Sequence, residues 1–187
     1  MRTIVSTYHP NGTNEPPAHT KHCLERLTEM GYDYTVEVSR HNDAKICAIA
    51  FLNALDILQK YKGEDLLLIE DDCLMDIKRE DLETLMEFQQ FPGIVRVVYA
   101  KIHNTGTSRW RTRFRTNLLC TGSQAIWIAG SYHEELIEKM KEAPPQHFDC
   151  FQSGYPGIRE LQLGKSHGRQ LQHYSRIIGR TRKGVKI

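Results

Sequence analysis

The sequence contains no long apolar run. No stretch approaches the roughly 20 residues that a membrane-spanning helix needs. The amino-terminal MRTIVSTYHPNG has too short an apolar stretch for a signal peptide. We therefore expect a protein with no transmembrane segment.

Cysteine is scarce and follows no pattern. The five cysteines among 187 residues are odd in number and widely scattered, and no two have a CxxC spacing. This distribution argues against a disulfide framework and against a zinc site made of thiols. It is typical of thiols in a reducing compartment. We expect a cytoplasmic location, which would be the host cytoplasm for a phage-encoded protein.

A strong net charge is also absent, at +2, but the charges are unevenly distributed. Residues 101–117 carry five basic residues and no acid, and residues 164–187 carry seven basic residues and no acid. The acids cluster around residues 64–87. This separation indicates an anionic partner on one face.

Strand and helix patterns alternate along the front of the chain. Strands are predicted at 3–8, 34–39, 65–69, 93–100 and 123–129, and helices at 18–31, 44–61, 79–91 and 131–143. The order β-α-β-α-β implies parallel strands with right-handed crossovers. We predict one α/β domain over residues 1–187, with a Rossmann-like, mostly parallel sheet flanked by helices and a basic C-terminal segment at 164–187.

The stretch EDLLLIEDDCLM, residues 64–75, ends a buried strand on three carboxylates, Glu70, Asp71 and Asp72. Ligands bind beyond the carboxyl ends of strands in such sheets, and oxygen-only ligands favour Mg²⁺ or Mn²⁺. A solvated acidic turn is the simpler interpretation. A dehalogenase-type phosphatase would need Asp where Glu70 stands. A nuclease would need a downstream Lys, where the chain offers only Arg96 and Lys101.

LLLIEDD and the preceding NDAKICAIAFLNALDILQKY resemble the metal-binding centre of GT-A-fold glycosyltransferases. The resemblance is strongest to the family-25, lipopolysaccharide-type enzymes and to small phage-type glycosyltransferases. It extends over residues 3–179 through SRHNDAK, TGSQAIWIAGSYHEELIEKM, PPQHFDCFQS and LQHYSRIIG. The chain is shorter than most such enzymes and lacks the Gln-x-x-Arg-Trp block of family-2 relatives.

The resemblance implies a role for each matching position. The metal, Mn²⁺ or Mg²⁺, would be held by Asp72, Glu70 and His173. The nucleotide-sugar donor, most simply a UDP-sugar, would be bound by Thr7, Tyr8, Arg40, Lys45 and Asp71. Asp149 would be the general base of an inverting displacement.

Each of these roles has a plainer alternative. Arg40 and Lys45 could simply be solvated, Asp149 could cap a helix, and His173 could be an ordinary partly buried histidine. Asp71 could bind the metal in place of the donor.

The basic segment at residues 101–117 indicates what kind of acceptor the protein uses. Alternating Arg and aromatic residues suit a nucleic acid backbone with stacked bases, and they also suit the solvent face of an edge strand. The residues concerned are Arg109, Trp110, Arg111, Arg113 and Arg115.

The sequence thus predicts a metal-dependent glycosyltransferase that moves a sugar from a nucleotide-sugar to an acceptor hydroxyl. That hydroxyl could be on a modified base in phage DNA, flipped out of the duplex, or on a lipopolysaccharide or other envelope glycan. Two other classes stay open. One is a non-catalytic nucleic-acid-binding module, and the other is a metal-dependent phosphatase or nuclease.

Overall fold

A computed structural model describes most of the chain. The described residues are 1–8, 17–41, 48–103, 110–111, 114–115, 119–163, 166–170, 174–175 and 180–181. The strands are β1 Arg2–Thr7, β2 Tyr34–Val38, β3 Leu66–Glu70, β4 Cys73–Met75, β5 Ile94–His103, β6 Trp110–Arg111, β7 Phe114–Arg115, β8 Leu119–Ile128, β9 Glu160–Leu163, β10 Gly168–Gln170, β11 Tyr174–Ser175 and β12 Arg180–Thr181. The helices are α1 Ala18–Glu29, α2 Ile49–Lys60, α3 Arg79–Gln89, α4 His133–Glu142 and α5 Phe148–Gly154.

Eight strands form one sheet in the order β2-β1-β3-β8-β5-β9-β7-β6. β1 is parallel to β2 and β3, and β5 is parallel to β9. β8 runs antiparallel to both β3 and β5, and β7 runs antiparallel to β9 and β6. Six of the eight strands therefore point the same way, and the predicted Rossmann-like α/β class is confirmed.

Helices cover both faces of the sheet. Because β2 and β3 lie on opposite sides of β1, right-handed crossovers place α1 and α2 on opposite faces. α2 packs against α4 and α5 on its face. β3 is apolar up to its last residue, Glu70, and every residue from Leu66 to Ile69 is buried, as expected for a strand covered on both sides.

One row of side chains crosses the sheet and fixes which residues share a face. Leu68 of β3 pairs with Ile126 of β8, Ile126 pairs with Arg96 of β5, and Arg96 pairs with Gln162 of β9. Directly paired residues point to the same side of a sheet. Arg96 contacts Ser153 of α5, so this row faces α2 and α5. The next position along β3, on the same face, is Glu70.

No helix among the described residues is long and apolar enough to cross a bilayer. The predicted helix end before Pro144 is confirmed, since α4 ends at Glu142.

Candidate active site

The acidic turn lies at the carboxyl edge of the parallel strands. β3 ends at Glu70, the turn is formed by Asp71 and Asp72, and β4 begins at Cys73. Ser6 pairs with Glu70, so the end of β1 lies beside the turn. This edge is where ligands bind in open α/β sheets.

The side chains of Glu70 and Asp71 go to opposite faces of the sheet. Glu70 shares a face with Ser6, whose hydroxyl accepts a 2.6 Å hydrogen bond from Asn53 of α2. Asp71 instead contacts residues of β1 and α1. The divergence separates two carboxylates that would repel each other if they shared one face.

Asp71 is held by three side chains. Its Oδ2 accepts hydrogen bonds from the hydroxyls of Thr7, in a short contact, and Thr20, at 3.1 Å. His19 Nε2 lies 3.4 Å from the same oxygen. Thr7 and Thr20 are 2% and 0% exposed, so these donors are shielded from water. Asp71 thereby joins the end of β1, the start of α1 and the acidic turn.

Asp72 is the most buried of the three carboxylates, at 3% exposure. Behind it lie two buried thiols. Burial raises the pKa of Cys23, and the charges of Asp71 and Asp72 raise it further. Burial also raises the pKa of Cys73, with added contributions from Cys23 and Asp72. Both thiols are buried and pack as small apolar groups.

The donor set of the turn fits a hard divalent cation in part. Glu70 and Asp72 supply carboxylate oxygens, which Mg²⁺ and Mn²⁺ prefer. Within the described ranges, no group of three or more His, Cys, Asp or Glu side chains is arranged to hold a metal. A cation at this turn would therefore need other ligands, such as phosphate oxygens and water.

The proposed third ligand, His173, lies outside the described residues. The nearest described position before it, Gln170, pairs with Cys73 next to Asp72.

The predicted donor-binding residues are placed unevenly. Thr7 donates its hydroxyl to Asp71, and Tyr8 follows it, half-exposed, at the end of β1. Arg40 is exposed just after β2. Glu37 of β2 has a pKa below its ordinary value. Burial raises this pKa, but hydrogen bonds from Lys60 and Tyr61 and the charge of Arg40 together lower it by more. Lys45 lies outside the described residues.

Asp149, the predicted base, lies half-buried in the first turn of α5. Its Oδ1 accepts a 2.8 Å hydrogen bond from the backbone N–H of Cys150, the next residue, which differs from the N2 or N3 contact of a helix cap. α5 packs on the face that Glu70 also shares. Among the strands, α5 packs against β8, which lies beside β3 in the sheet.

Arg96, which the sequence suggested only as a poor substitute for the lysine of a nuclease, is the centre of a buried polar cluster. Arg96 is fully buried. Its Nε makes a short contact with Glu160, and its guanidinium donates to Ser153 Oγ at 2.7 Å and to the Asp149 carbonyl at 3.3 Å. Burial raises the pKa of Glu160, although the Arg96 charge opposes that shift. The signal for this cluster was one cation inside an otherwise apolar strand, IVRVV.

The predicted acceptor segment reaches the far edge of the sheet. Trp110 pairs with Arg115 where β6 and β7 form a hairpin, and Arg111 pairs with Phe114. The segment therefore contributes two short antiparallel strands, not one continuous strand, to this edge of the sheet. Arg109 and Arg113 lie outside the described residues.

Two open cavities lie at the opposite, amino edge of the strands. One, of about 480 Å³, is lined by Asp65, Met86 and Trp127 among others, and the second, of about 660 Å³, by Arg2 and Glu64 among others. The turn with the three carboxylates is at the other end of β3, so neither cavity forms part of the candidate site.

Two solved structures share this fold. One is a glycosyltransferase involved in the glycosylation of the major capsid of PBCV-1. It is 13% identical with a TM-score of 0.50, over 87% of this chain and 81% of that one. The other is protein A197 from STIV, 15% identical with a TM-score of 0.50, over 91% of this chain and 85% of that one. No family model matches the sequence, and no curated protein is significantly similar to it.

Proposed function

We propose that the protein is a glycosyltransferase that moves a sugar from a nucleotide-sugar to an acceptor hydroxyl. The observation that carries the proposal is the acidic turn at the carboxyl edge of β3, in a fold shared along most of the chain with a viral glycosyltransferase. At this level of identity the likeness concerns the fold alone, and function is argued from the turn.

Each carboxylate of the turn has its own role in the proposed reaction. Asp72 and Glu70 bind the divalent cation, Mn²⁺ or Mg²⁺, and His173 adds a ligand. Such a cation, when bound, neutralises the diphosphate that departs from the sugar. Asp71 keeps the turn in place through Thr7 and Thr20. The end of β1, at Tyr8, lies beside the turn and receives the nucleotide.

Asp149 acts as the general base. Its carboxylate accepts the proton of the acceptor hydroxyl while that oxygen attacks the anomeric carbon and the bond to the diphosphate breaks. This displacement inverts the configuration of the sugar.

Nucleotide binding tests the donor site directly. Calorimetric titration of UDP into the protein with Mn²⁺ should give saturable binding that EDTA removes. Asp72→Asn should weaken that binding by more than tenfold, because a buried carboxylate ligand is lost. Glu138→Gln, an exposed carboxylate on α4 paired with Lys141, is the control and should bind as the unmodified protein does. Binding that ignores both metal and Asp72 would refute the donor site.

The acceptor proposed here is a hydroxylated base in DNA. Two segments without acids, residues 101–117 and 164–187, support an anionic acceptor. Sugar transfer to hydroxymethylated duplex DNA should exceed transfer to the unmodified duplex, and binding should weaken steeply with salt. Transfer to a lipopolysaccharide or envelope glycan in place of DNA would keep the transferase and replace the acceptor.

A further inference from the structure

We infer that Arg96 is a positioning residue that fixes Asp149 over the carboxyl half of the sheet. This inference rests on the proposed function, in which Asp149 is the base. The inference concerns how the fold presents that base. Arg96 is a charged residue at a buried strand position that is normally apolar.

Arg96 has no exposed surface and lies near the start of β5, between β8 and β9. A buried guanidinium needs partners for its donors, since an unpaired charge is strongly unfavourable in the interior. The partners come from two elements. Glu160 at the start of β9 takes Nε and one terminal nitrogen, and α5 supplies Ser153 Oγ and the Asp149 carbonyl.

The two contacts on α5 are one helical turn apart. Asp149 and Ser153 are spaced i, i+4, so the same guanidinium nitrogen reaches both at 3.3 and 2.7 Å. A planar guanidinium held by Glu160 on one side therefore sets the position of α5 on the other. A lysine would lack the Nε contact to Glu160, so its ammonium would not be held in a fixed plane between β9 and α5.

α5 is short and is also held by apolar packing against α2 and the sheet. It has seven residues and no side-chain cap hydrogen bond at His147. Phe148 and Phe151 pack on Phe51 of α2 with ring centroids 6.3 and 5.1 Å apart. Apolar packing holds the helix on the sheet, while the Arg96 contacts specify its placement along β5. Asp149 stands on the turn that those contacts hold.

The test uses a double substitution that keeps the core closed. Arg96→Met/Glu160→Met replaces the ion pair by apolar side chains, a change that proteins often tolerate. Arg159→Met/Glu135→Met removes a neighbouring exposed ion pair and is the matched control. We compare hydrogen exchange of the amides at 148–154 and sugar-transfer kinetics in both variants, each with and without Asp149→Asn.

The Arg96 pair variant should exchange the α5 amides about tenfold faster, with β5 and β8 protection retained. Its kcat should fall about 100-fold at unchanged donor KM, because a misplaced base slows the chemical step. Adding Asp149→Asn to this variant should lower kcat by less than about a further threefold, because both changes remove the same function. The control pair should behave as the unmodified protein.

The inference would be overturned if the kcat losses of the pair substitution and of Asp149→Asn multiplied when the two were combined. An unchanged kcat in the pair variant would also overturn it. Absence of sugar transfer by the unmodified protein would refute the proposed function instead. The exchange measurement then decides the positioning claim alone. Faster exchange confined to α5 supports it, and unchanged exchange overturns it.

Discussion

Single residues of the acidic turn have separate physical roles. In the sequence, Glu70, Asp71 and Asp72 are three adjacent acids with nothing to distinguish them. The structure directs Asp71 towards Thr7, Thr20 and α1, whereas Glu70 faces α2. The Thr20 contact could not have been predicted, because it depends on the rotation of α1 relative to the sheet.

The hydrogen bond from Thr20 to Asp71 should be measurable as stability. Thr20→Val keeps the shape and removes a donor to a shielded carboxylate. We expect the free energy of unfolding to fall by about 1.5–3 kcal/mol. Urea denaturation of the variant measures the loss. Thr28→Val in the same helix removes only an exposed hydroxyl bonded to the Leu24 carbonyl, and it should change stability by less than about 0.5 kcal/mol. Equal losses in both variants would contradict this account of Asp71.

Buried His133 makes stability depend on pH. Its Nδ1 accepts a 3.3 Å hydrogen bond from the backbone N–H of Gly63, and burial lowers the pKa of His133. The unfolded chain therefore takes up a proton near pH 6.5 that the folded chain resists. This contribution to stability is fully present above about pH 6.5 and is lost as the pH falls towards the folded pKa.

Denaturation at pH 7.5 and 5.5 tests the histidine. His133→Gln should reduce the difference in unfolding free energy between the two pH values. His22→Gln, on the outer surface of α1, should leave that difference unchanged. The same pH dependence in the unmodified protein and in His133→Gln would show that another group is responsible.

At the scale of elements, the sequence predicted β1 to β3, α1 to α4, β5 and β8, but it did not predict how the later strands pair. Local signals sufficed for β1 to β3 with α1 and α2, because consecutive parallel strands require crossover helices. The insertion of β8 between β3 and β5 depends on pairing between strands far apart in the chain. No local pattern encodes that pairing. The partners of Arg96 could not be predicted for the same reason, because they come from β9 and α5, which are far from β5 in the chain.

The tie between β5, β9 and α5 should be visible in denaturation. Arg96→Met leaves Glu160 buried beside no cation, so we expect a loss of about 3–5 kcal/mol. Arg96→Met/Glu160→Met removes both charges and should recover most of that loss. Urea denaturation of the two variants gives the comparison. A double variant as unstable as the single one would mean that the guanidinium acts through packing and not through its charge.

At the scale of the whole molecule, the sheet has two unlike edges. The carboxyl edge carries the acidic turn and faces α5 with Asp149, while the amino edge carries the two cavities. The sequence correctly predicted that the acidic turn lies at the carboxyl edge, because residues that follow a buried strand of a parallel sheet lie at the carboxyl end of that strand. The fold is common to proteins of many activities, so chemistry at the turn must decide the function.

Donor turnover is the most direct test of that chemistry. The experiment measures release of nucleoside diphosphate from a panel of nucleotide-sugars with Mn²⁺ or EDTA, with and without hydroxymethylated DNA. The unmodified protein, Asp72→Asn and Glu138→Gln are compared. The glycosyltransferase proposal predicts metal-dependent release that DNA stimulates, that Asp72→Asn abolishes and that Glu138→Gln retains. No release from any donor under any of these conditions would contradict it, and the carboxylates after β3 would then be an acidic turn without catalytic function.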